Sequence, residues 1–550
     1  MSHEVQLERN IGLFEWAATR AQRSFDDGDF GGTLSWVRIA GSLAFQRHPG
    51  FYFHPDFENM LQVIGNAIKP ESGWNVMKPS SCPRKKFHLL HVLTTALVVG
   101  GHTRLVERWI LNSRLFSNDA HSILVLDQHR APFPLWLKQA SENSGGSCTV
   151  LPHGMDMIEQ ALALRRHAYE TADVVVLHVH PNDPVAVIAF APAGGPPVLL
   201  LNHADDRFWL GTGVTDMIVD FREVGRTISH QRRKAKRSEL LPIPLIPRYE
   251  VPPSGACKRK LNIPEEAIIL LSIGTSYKFG PYGSLDFPKA MIEITHRHRN
   301  VVCLAIGPSG TEAVWKSAFQ KTHGKVRALG VLQNIQDYYG AADIYVESFP
   351  FGSLTATLDA ALFGKPVIRM PLRPVPMLGI DRYEGMCDNA ADMETYLETL
   401  SSYINDPGLR HDAGMMQRRA VEGMHVGSGW SKFCKHVMNN VPPQHDVLQY
   451  ASGERDTGTQ EDFIWADIQV AESKYEGEDL SLFNKAFLKS PKLFSKTEMT
   501  QALLSYLRRF VPLFNRRNFL ELGKTLTFIV LPSRIIDKIF SLYYKRIYKS

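Results

Sequence analysis

The sequence is poor in cysteine, with six in all at positions 82, 148, 257, 303, 387 and 434, and no two of them stand in a C-x-x-C spacing. That excludes a zinc knuckle and a dithiol redox pair, and leaves free, mostly buried thiols in a reducing compartment as the expectation. No apolar run approaches ~18 residues without Pro or Gly cutting it, so no membrane-spanning helix is expected. The opening residues MSHEVQLERN lack the basic-then-apolar layout of a secretory signal, which points to a chain that stays in the cytoplasm. Compositional bias is missing too: 44% hydrophobic and 21% charged residues with 40 Gly and 33 Pro exclude disordered, fibrous and collagen-like chains. What remains is a 550-residue chain with material for two to four domains at ~150 residues each.

Periodicity divides the chain. Leu7, Ile11, Phe14, Ala18 and Ala21 form one helical stripe, the run 26–29 breaks it, and a second helix follows through Leu34, Val37, Ile39 and Leu43. Residues 1–80 thus read as a helical region holding one hairpin of the tetratricopeptide kind, with no repeat at the ~34-residue period that an array needs. From 85 to 250 strand-like and helical segments alternate. KFHLLHVLTTALVVGG (86–101), SILVLDQ (122–128), CTVLP (148–152), ADVVVLHVH (172–180) and PVLLLNH (197–203) read as strands. A basic, Pro-rich stretch at 231–255 reads as a connection. From 258 to 442 a second alternation has strands at 267–274, 301–307, 326–330, 343–348 and 366–371. Alternation of this kind predicts an α/β protein with two Rossmann-like, doubly wound parallel sheets and ligands in the cleft at the carboxyl ends of their strands. Residues 443–479 read as an acidic linker and 480–550 as a basic amphipathic helical tail.

The segment richest in chemical signals is AADIYVESFPFGSLTATLDAALFGKPVIRMP (341–371), where a buried strand delivers a Gly-containing loop into a helix. Gly352 permits close backbone approach, and N–H groups at the helix start with the Ser353, Thr355 or Thr357 hydroxyls suit a diphosphate. Asp359, one turn inside, is spaced to accept hydrogen bonds from ribose hydroxyls. The alternative is an ordinary Ser/Thr helix cap with a solvated Asp. Phe-Pro-Phe-Gly with an Asp seven residues after the Gly resembles the donor segment of GT-B nucleotide-sugar glycosyltransferases, and is similar to the bacterial cytoplasmic N-glycosyltransferases and the O-linked N-acetylglucosamine transferases. The resemblance implies that Ser353 and Thr355 face the diphosphate and Asp359 the ribose. It likewise implies that Lys278, in the strand–loop run SIGTSYK (272–278), neutralises phosphate, and that Gln333, in GVLQNIQDYYGAAD (330–343), contacts the base.

The large retaining family of this architecture carries two Glu residues eight positions apart; here the second position is Asp359, the first falls on Phe351, and Glu347 lies four residues too early. Inverting chemistry is therefore expected, which requires a general base. Candidates are His102, in Gly100-Gly101-His102-Thr103-Arg104 at a strand-to-helix turn, and His178 or His180 at a strand end. His203 is another, in LNHADDRFWLG, with Asp205, Asp206 and Arg207 available to sugar or acceptor hydroxyls. None has metal-ligand spacing. The implied function is transfer of a sugar from a nucleotide sugar, a UDP-sugar, to a protein or glycan acceptor without metal or other cofactor. The alternatives are a retaining transferase of surface polysaccharide or lipopolysaccharide synthesis using Glu347, and a non-catalytic scaffold with a degenerate fold.

The net charge of +6 divides unevenly, because residues 480–550 hold 14 Lys/Arg against 3 Asp/Glu while 454–479 hold 9 acids and 2 bases. Leu503, Leu504, Leu507, Phe510, Val511 and Phe514 form a stripe beside Arg508, Arg509, Arg516 and Arg517. Such a segment suits an anionic membrane surface or folds back on the body of the protein; nucleic acid is not an expected partner.

Overall fold

The computed structural model describes residues 3–69, 86–98, 101–128, 131–247, 253–332, 334–379, 381, 390–442, 450–451, 458–472, 479–487, 494–510, 521–523, 525–527 and 529. Seven parallel strands form the first sheet: β1 (His88–Leu93), β2 (Ala120–Val125), β3 (Cys148–Val150), β4 (Val174–His178), β5 (Val198–Leu201), β6 (Met217–Asp220) and β7 (Ser238–Leu240), in the order β3-β2-β1-β4-β5-β6-β7. Five parallel strands form the second: β8 (Ile268–Ile273), β9 (Val301–Ile306), β10 (Val326–Ala328), β11 (Ile344–Val346) and β12 (Val367–Ile368), in the order β10-β9-β8-β11-β12. The central strands β1, β2, β8 and β9 are almost wholly buried, as sheets covered on both faces by helices require. Both sheets are doubly wound, so the chain has the two Rossmann-like units expected from the sequence. Each sheet reverses its order beside its first strand, between β1 and β4 and between β8 and β11, and crevices open at those points.

Three local expectations change. The run 86–101 is strand only as far as Leu93, because Thr94 and Thr95 turn their hydroxyls to Asp183 and to the Asp127 carbonyl, at 2.6 and 2.7 Å. The first sheet also continues past His203 through β6 and β7, and β7 lies inside the basic stretch 231–255. Within that stretch Arg233 is fully buried, donates to the carbonyls of Ala204, Asp205 and Arg207, and covers the ring of Trp209.

The N-terminal helical hairpin meets helices that follow the second sheet. The helix α1 (His3–Asp26) turns at Gly28 (φ +75°) into α2 (Phe30–Gln46), whose first turn is capped by Asp29 accepting from Gly32 N at 2.9 Å. A third helix, α3 (Pro55–Ala67), docks on the first sheet's unit through Glu58, which accepts from Gly211 N and Gly213 N at 2.8 Å each. The helices Asp479–Phe487 and Lys496–Phe510 then pack on the hairpin: Trp16 meets Tyr506 at 5.3 Å and donates to Ser505 Oγ at 3.1 Å, and Trp36 meets Phe494 at 4.9 Å. Leu503 and Phe510 of the basic stripe are buried there, whereas Leu504 is 62% exposed. Val511, Phe514, Arg516 and Arg517 lie outside the described residues.

Ahead of those two helices in the chain, the helix Gln460–Glu472 is pinned by Asp462, whose side chain has no accessible surface. It accepts from His48 Nε2 (2.8 Å), Arg232 Nη2 (3.0 Å) and Thr459 Oγ1 (2.8 Å). Burial is the larger influence on His48 and holds its imidazole below its ordinary 6.5, hence neutral. Burial alone would raise the Asp462 carboxyl, but the bonds from His48, Arg232 and Thr459 outweigh it and keep it below 3.8. Both folded values lie under the unfolded ones, so their contribution is complete above pH 6.5 and is lost as the pH falls through that value and beyond. Hydrogen exchange across 460–472, corrected for intrinsic rate, is expected to speed up from pH 7 to pH 5 ahead of the two sheets; equal protection across that window would contradict this account.

Candidate functional site

The loop after β11 is built by opposed aromatic anchors. Phe349 turns into the second unit against Phe287 (5.1 Å) and Tyr396 (5.6 Å), while Phe351 faces Tyr277 (5.4 Å) and the buried Trp465 (5.8 Å). Gly352 N donates to Leu378 O at 2.8 Å, and the chain then enters the helix Leu354–Leu362. Ser353 stands at the cap position but makes no side-chain cap bond, so it does not act as an ordinary helix cap. Instead Lys278, from the short turn Ser276–Phe279 after β8, extends Nζ to Gly352 O (2.8 Å) and Ser353 Oγ (3.3 Å). The two loops pack so closely that a Cβ on Gly274 would stand 3.2 Å from Ser353 Oγ. Gly307 (φ +116°) supports Gly274 from behind, where a Cβ would lie 1.8 Å from Gly274 O.

Facing this loop across a cleft of about 510 Å³ is a wall from the first unit. The helix α4 (Gly101–Ser113) starts after β1 and turns Gly101, Arg104, Leu105 and Arg108 to the cleft, a spacing that puts them on one helical face. Beyond β5 come Asn202, His203, Asp205, Asp206 and Arg207, and beyond β6 Phe221 and Arg222. Arg222 is the strap between the walls: it pairs with Asp205 through Nε (2.8 Å) and Nη2 (2.6 Å), and donates to the carbonyls of Met377 and Gly379 in the second unit. Arg207 pairs with Asp206 at 3.2 Å and covers the Trp465 ring at 4.9 Å. The cleft thus carries the cations Arg104, Arg108, Arg207, Arg222 and Lys278 against the acids Asp205, Asp206 and Asp359.

Of the residues singled out from the sequence, Lys278, Gly352, Thr355 and Asp359 meet on one wall of the cleft, with the Ser353 hydroxyl beside Lys278. Thr355 and Asp359, four residues apart, share a helix face, and Thr357 is buried on another. Gln333 and Gly100 lie outside the described residues. His102 does not line the cleft: its Nε2 donates to His178 O at 2.6 Å, and its ring stands edge-on to His203 at 4.8 Å. Burial lowers its pKa and leaves it neutral. His180 is exposed beside a neighbouring small pocket, its backbone N–H on Thr94 Oγ1. Glu347 is fully buried and does not reach the cleft; Arg373 Nη2 holds it at 2.6 Å, with Arg369 Nε at 3.6 Å. Of the candidate histidines, His203 lines the cleft among the described residues. Arg108 and Arg222 were not among the residues singled out, and Arg104 was named only as part of the glycine turn, not as a cleft cation. The i, i+3, i+4, i+7 set on α4 was the available signal for Arg104 and Arg108.

No protein-family model matches the chain, and no curated protein matches it. Among solved structures it resembles a glycosyltransferase from Rickettsia africae, at 14% identity and TM-score 0.49, over 65% of this chain and 98% of that one. It also resembles a variant of the O-GlcNAc transferase of Thermobaculum terrenum, at 12% identity and TM-score 0.47, over 84% of this chain and 85% of that one. HepE of Anabaena, in complex with UDP and glucose, matches at 12% identity and TM-score 0.46, over 64% of this chain and all of that one. At such identities the likeness is one of fold.

Removing the strap is the test of how the walls are held. Arg222→Ala is expected to lower the melting temperature and to enlarge the radius of gyration in X-ray scattering, since Asp205 loses a two-pronged partner and the 377–379 turn its donor. An unchanged scattering profile would show that the walls are held by other contacts.

Proposed function

We propose that the chain is a glycosyltransferase that moves a sugar from a nucleotide-sugar donor, a UDP-sugar, to a protein or glycan acceptor with inversion. The observation that carries this reading is the Lys278–Gly352–Ser353 junction beside an uncapped helix start. A leaving nucleoside diphosphate gathers negative charge, and an ammonium group with the first amides of a helix is suited to hold it. Thr355 and Asp359 follow in the first turn and a half of that helix and line the same cleft, where their hydroxyl and carboxylate suit ribose hydroxyls. Donor binding is therefore assigned to the second unit, and the acceptor to the first, whose Asp205 and Asp206 carboxylates suit sugar hydroxyls.

Inversion is favoured over retention because Glu347, the carboxylate that a retaining mechanism would need, is spent on Arg373 and Arg369 away from the cleft. Independence of metal follows in this reading from the cation set, since Lys278 and the helix start supply the charge neutralisation that a divalent ion would otherwise provide. Attachment to an anionic membrane gains no support from the stripe at 503–510, because its Leu503 and Phe510 are covered by the N-terminal hairpin.

Titration calorimetry with UDP decides the donor assignment. Lys278→Ala and Asp359→Ala are each expected to weaken UDP about tenfold to a hundredfold, the effect of losing a hydrogen bond to a charged group. Unchanged affinity in both variants would overturn the reading. Turnover of the UDP-sugar by the intact chain is expected to be the same with and without EDTA.

A further inference from the structure

Four imidazoles in the first unit are joined head to tail. His203 Nε2 lies 3.1 Å from His178 Nδ1, His178 Nε2 3.0 Å from His91 Nδ1, and His91 Nε2 3.0 Å from His121 Nδ1. His121 Nε2 then reaches Ser113 Oγ at 3.0 Å, and Ser113 Oγ reaches Ser117 Oγ at 3.0 Å. Sheet order creates this row: β2, β1, β4 and β5 are neighbours, and each ring sits further towards the carboxyl edge than the last. His91, His121 and His178 have no accessible surface, and Trp109 of α4 closes over the row, 5.6 Å from His91 and 6.4 Å from His178. Of the four, His203 reaches the cleft wall among the described residues.

The bonds constrain the protons. Both ring nitrogens of His91, His121 and His178 are engaged, and a neutral imidazole has one donor and one acceptor, so the tautomer of one ring fixes the next. Burial, the largest influence on each, pushes all four well below the ordinary histidine value and keeps them neutral. Direction is set at the far end, where Ser117 Oγ donates to the Ser113 carbonyl at 3.3 Å, a group that only accepts. Ser113 then donates to Ser117, His121 to Ser113 through Nε2, and so on back to His203, which donates through Nε2 and retains its lone pair at Nδ1.

We propose that His203 is the proton acceptor of the cleft, and that His178, His91 and His121 are positioning residues that hold it in the Nε2–H tautomer. The role rests on the transferase reading above; the row itself rests on geometry alone. In the step, an acceptor O–H or N–H breaks and its proton forms Nδ1–H on His203. The freed electron pair attacks the anomeric carbon, and the bond to the diphosphate breaks with its pair leaving on the nucleotide. The resulting imidazolium keeps donating to His178, and the aligned N–H dipoles of the row present their acceptor ends to the new charge, which offsets part of the cost of burying it. The proton passes from Nδ1 to water when the products leave.

Nitrogen-15 NMR of the histidine-labelled full chain tests the row without substrate: four neutral rings in the Nε2–H form at pH 7 are expected, and mixed or Nδ1–H tautomers in the row would overturn it. His203→Gln should lower turnover about a hundredfold to ten-thousandfold, the usual worth of a general base, with UDP affinity unchanged. Turnover within twofold of the parent would overturn its role. His178→Phe should mix the His203 tautomers and lower kcat at least tenfold, with partial recovery in His178→Asn, whose amide oxygen takes the place of Nδ1. If His178→Phe also loses UDP binding, the fold has been damaged, and Ser113→Ala decides at the far end of the row: His203 tautomers unchanged there would overturn the proposal. A single-tautomer row in a chain without turnover on any acceptor would overturn the transferase reading and, with it, the role of His203.

Discussion

The carboxylate of Asp462 is the constraint that the site's geometry depends on. A carboxyl group with no accessible surface is costly unless it is fully engaged, and here a neutral imidazole, a guanidinium and a hydroxyl engage it from three directions. The engagement fixes the helix Gln460–Glu472, and that helix carries Trp465 to the place where the two units meet. Trp465 donates to Asp206 O at 3.0 Å on one side and backs Phe351 on the other. The loop beside the cleft is therefore positioned by a residue that follows both sheets in the chain and belongs to neither.

A further tie between the units is largely aromatic. The helix Gly427–Asn439, which follows the second sheet, returns to the first unit, where Trp430 packs at 5.8 Å from Trp109 and donates to Pro242 O at 2.7 Å. Trp109 is also the ring that seals the histidine row. One buried contact thus joins the units and keeps water from a run of polar groups, whose hydrogen bonds strengthen in the low-dielectric interior that the indole provides.

The sequence made the strands legible where runs rich in Val, Ile and Leu alternate with helical segments, as in β4, β8 and β9, and it missed β6 and β7 beyond the last such run of the first unit. β7 is Ser-Glu-Leu, an edge strand paired on one side, and its charge-rich surroundings read as a connection. The loop at 349–359 was readable because its chemistry is local: glycine, hydroxyls and a carboxylate within one strand-to-helix turn. Glu347 shows the limit of spacing, since its burial follows from the adjacency of β11 and β12, which brings Arg369 and Arg373 alongside. The histidine row was illegible for the same reason on a larger scale. Residues 91, 121, 178 and 203 become neighbours through a strand order that no linear pattern expresses. Trp465 and Ile468 were lost in a segment whose nine acids dominated its reading.

The closure of α1 and α2 by the last described helices bears on how this chain is made. Trp16 and Trp36 are synthesised about 450 residues or more before their partners Phe487, Phe494 and Tyr506. At about 5–20 residues per second, the hairpin waits on the order of a minute with its indoles uncovered. During that interval it is an amphipathic pair of helices without a mate, the kind of surface that chaperones hold. A nascent chain cut short before residue 494 would keep that face open permanently, so premature termination yields a sticky product even when both sheets are complete.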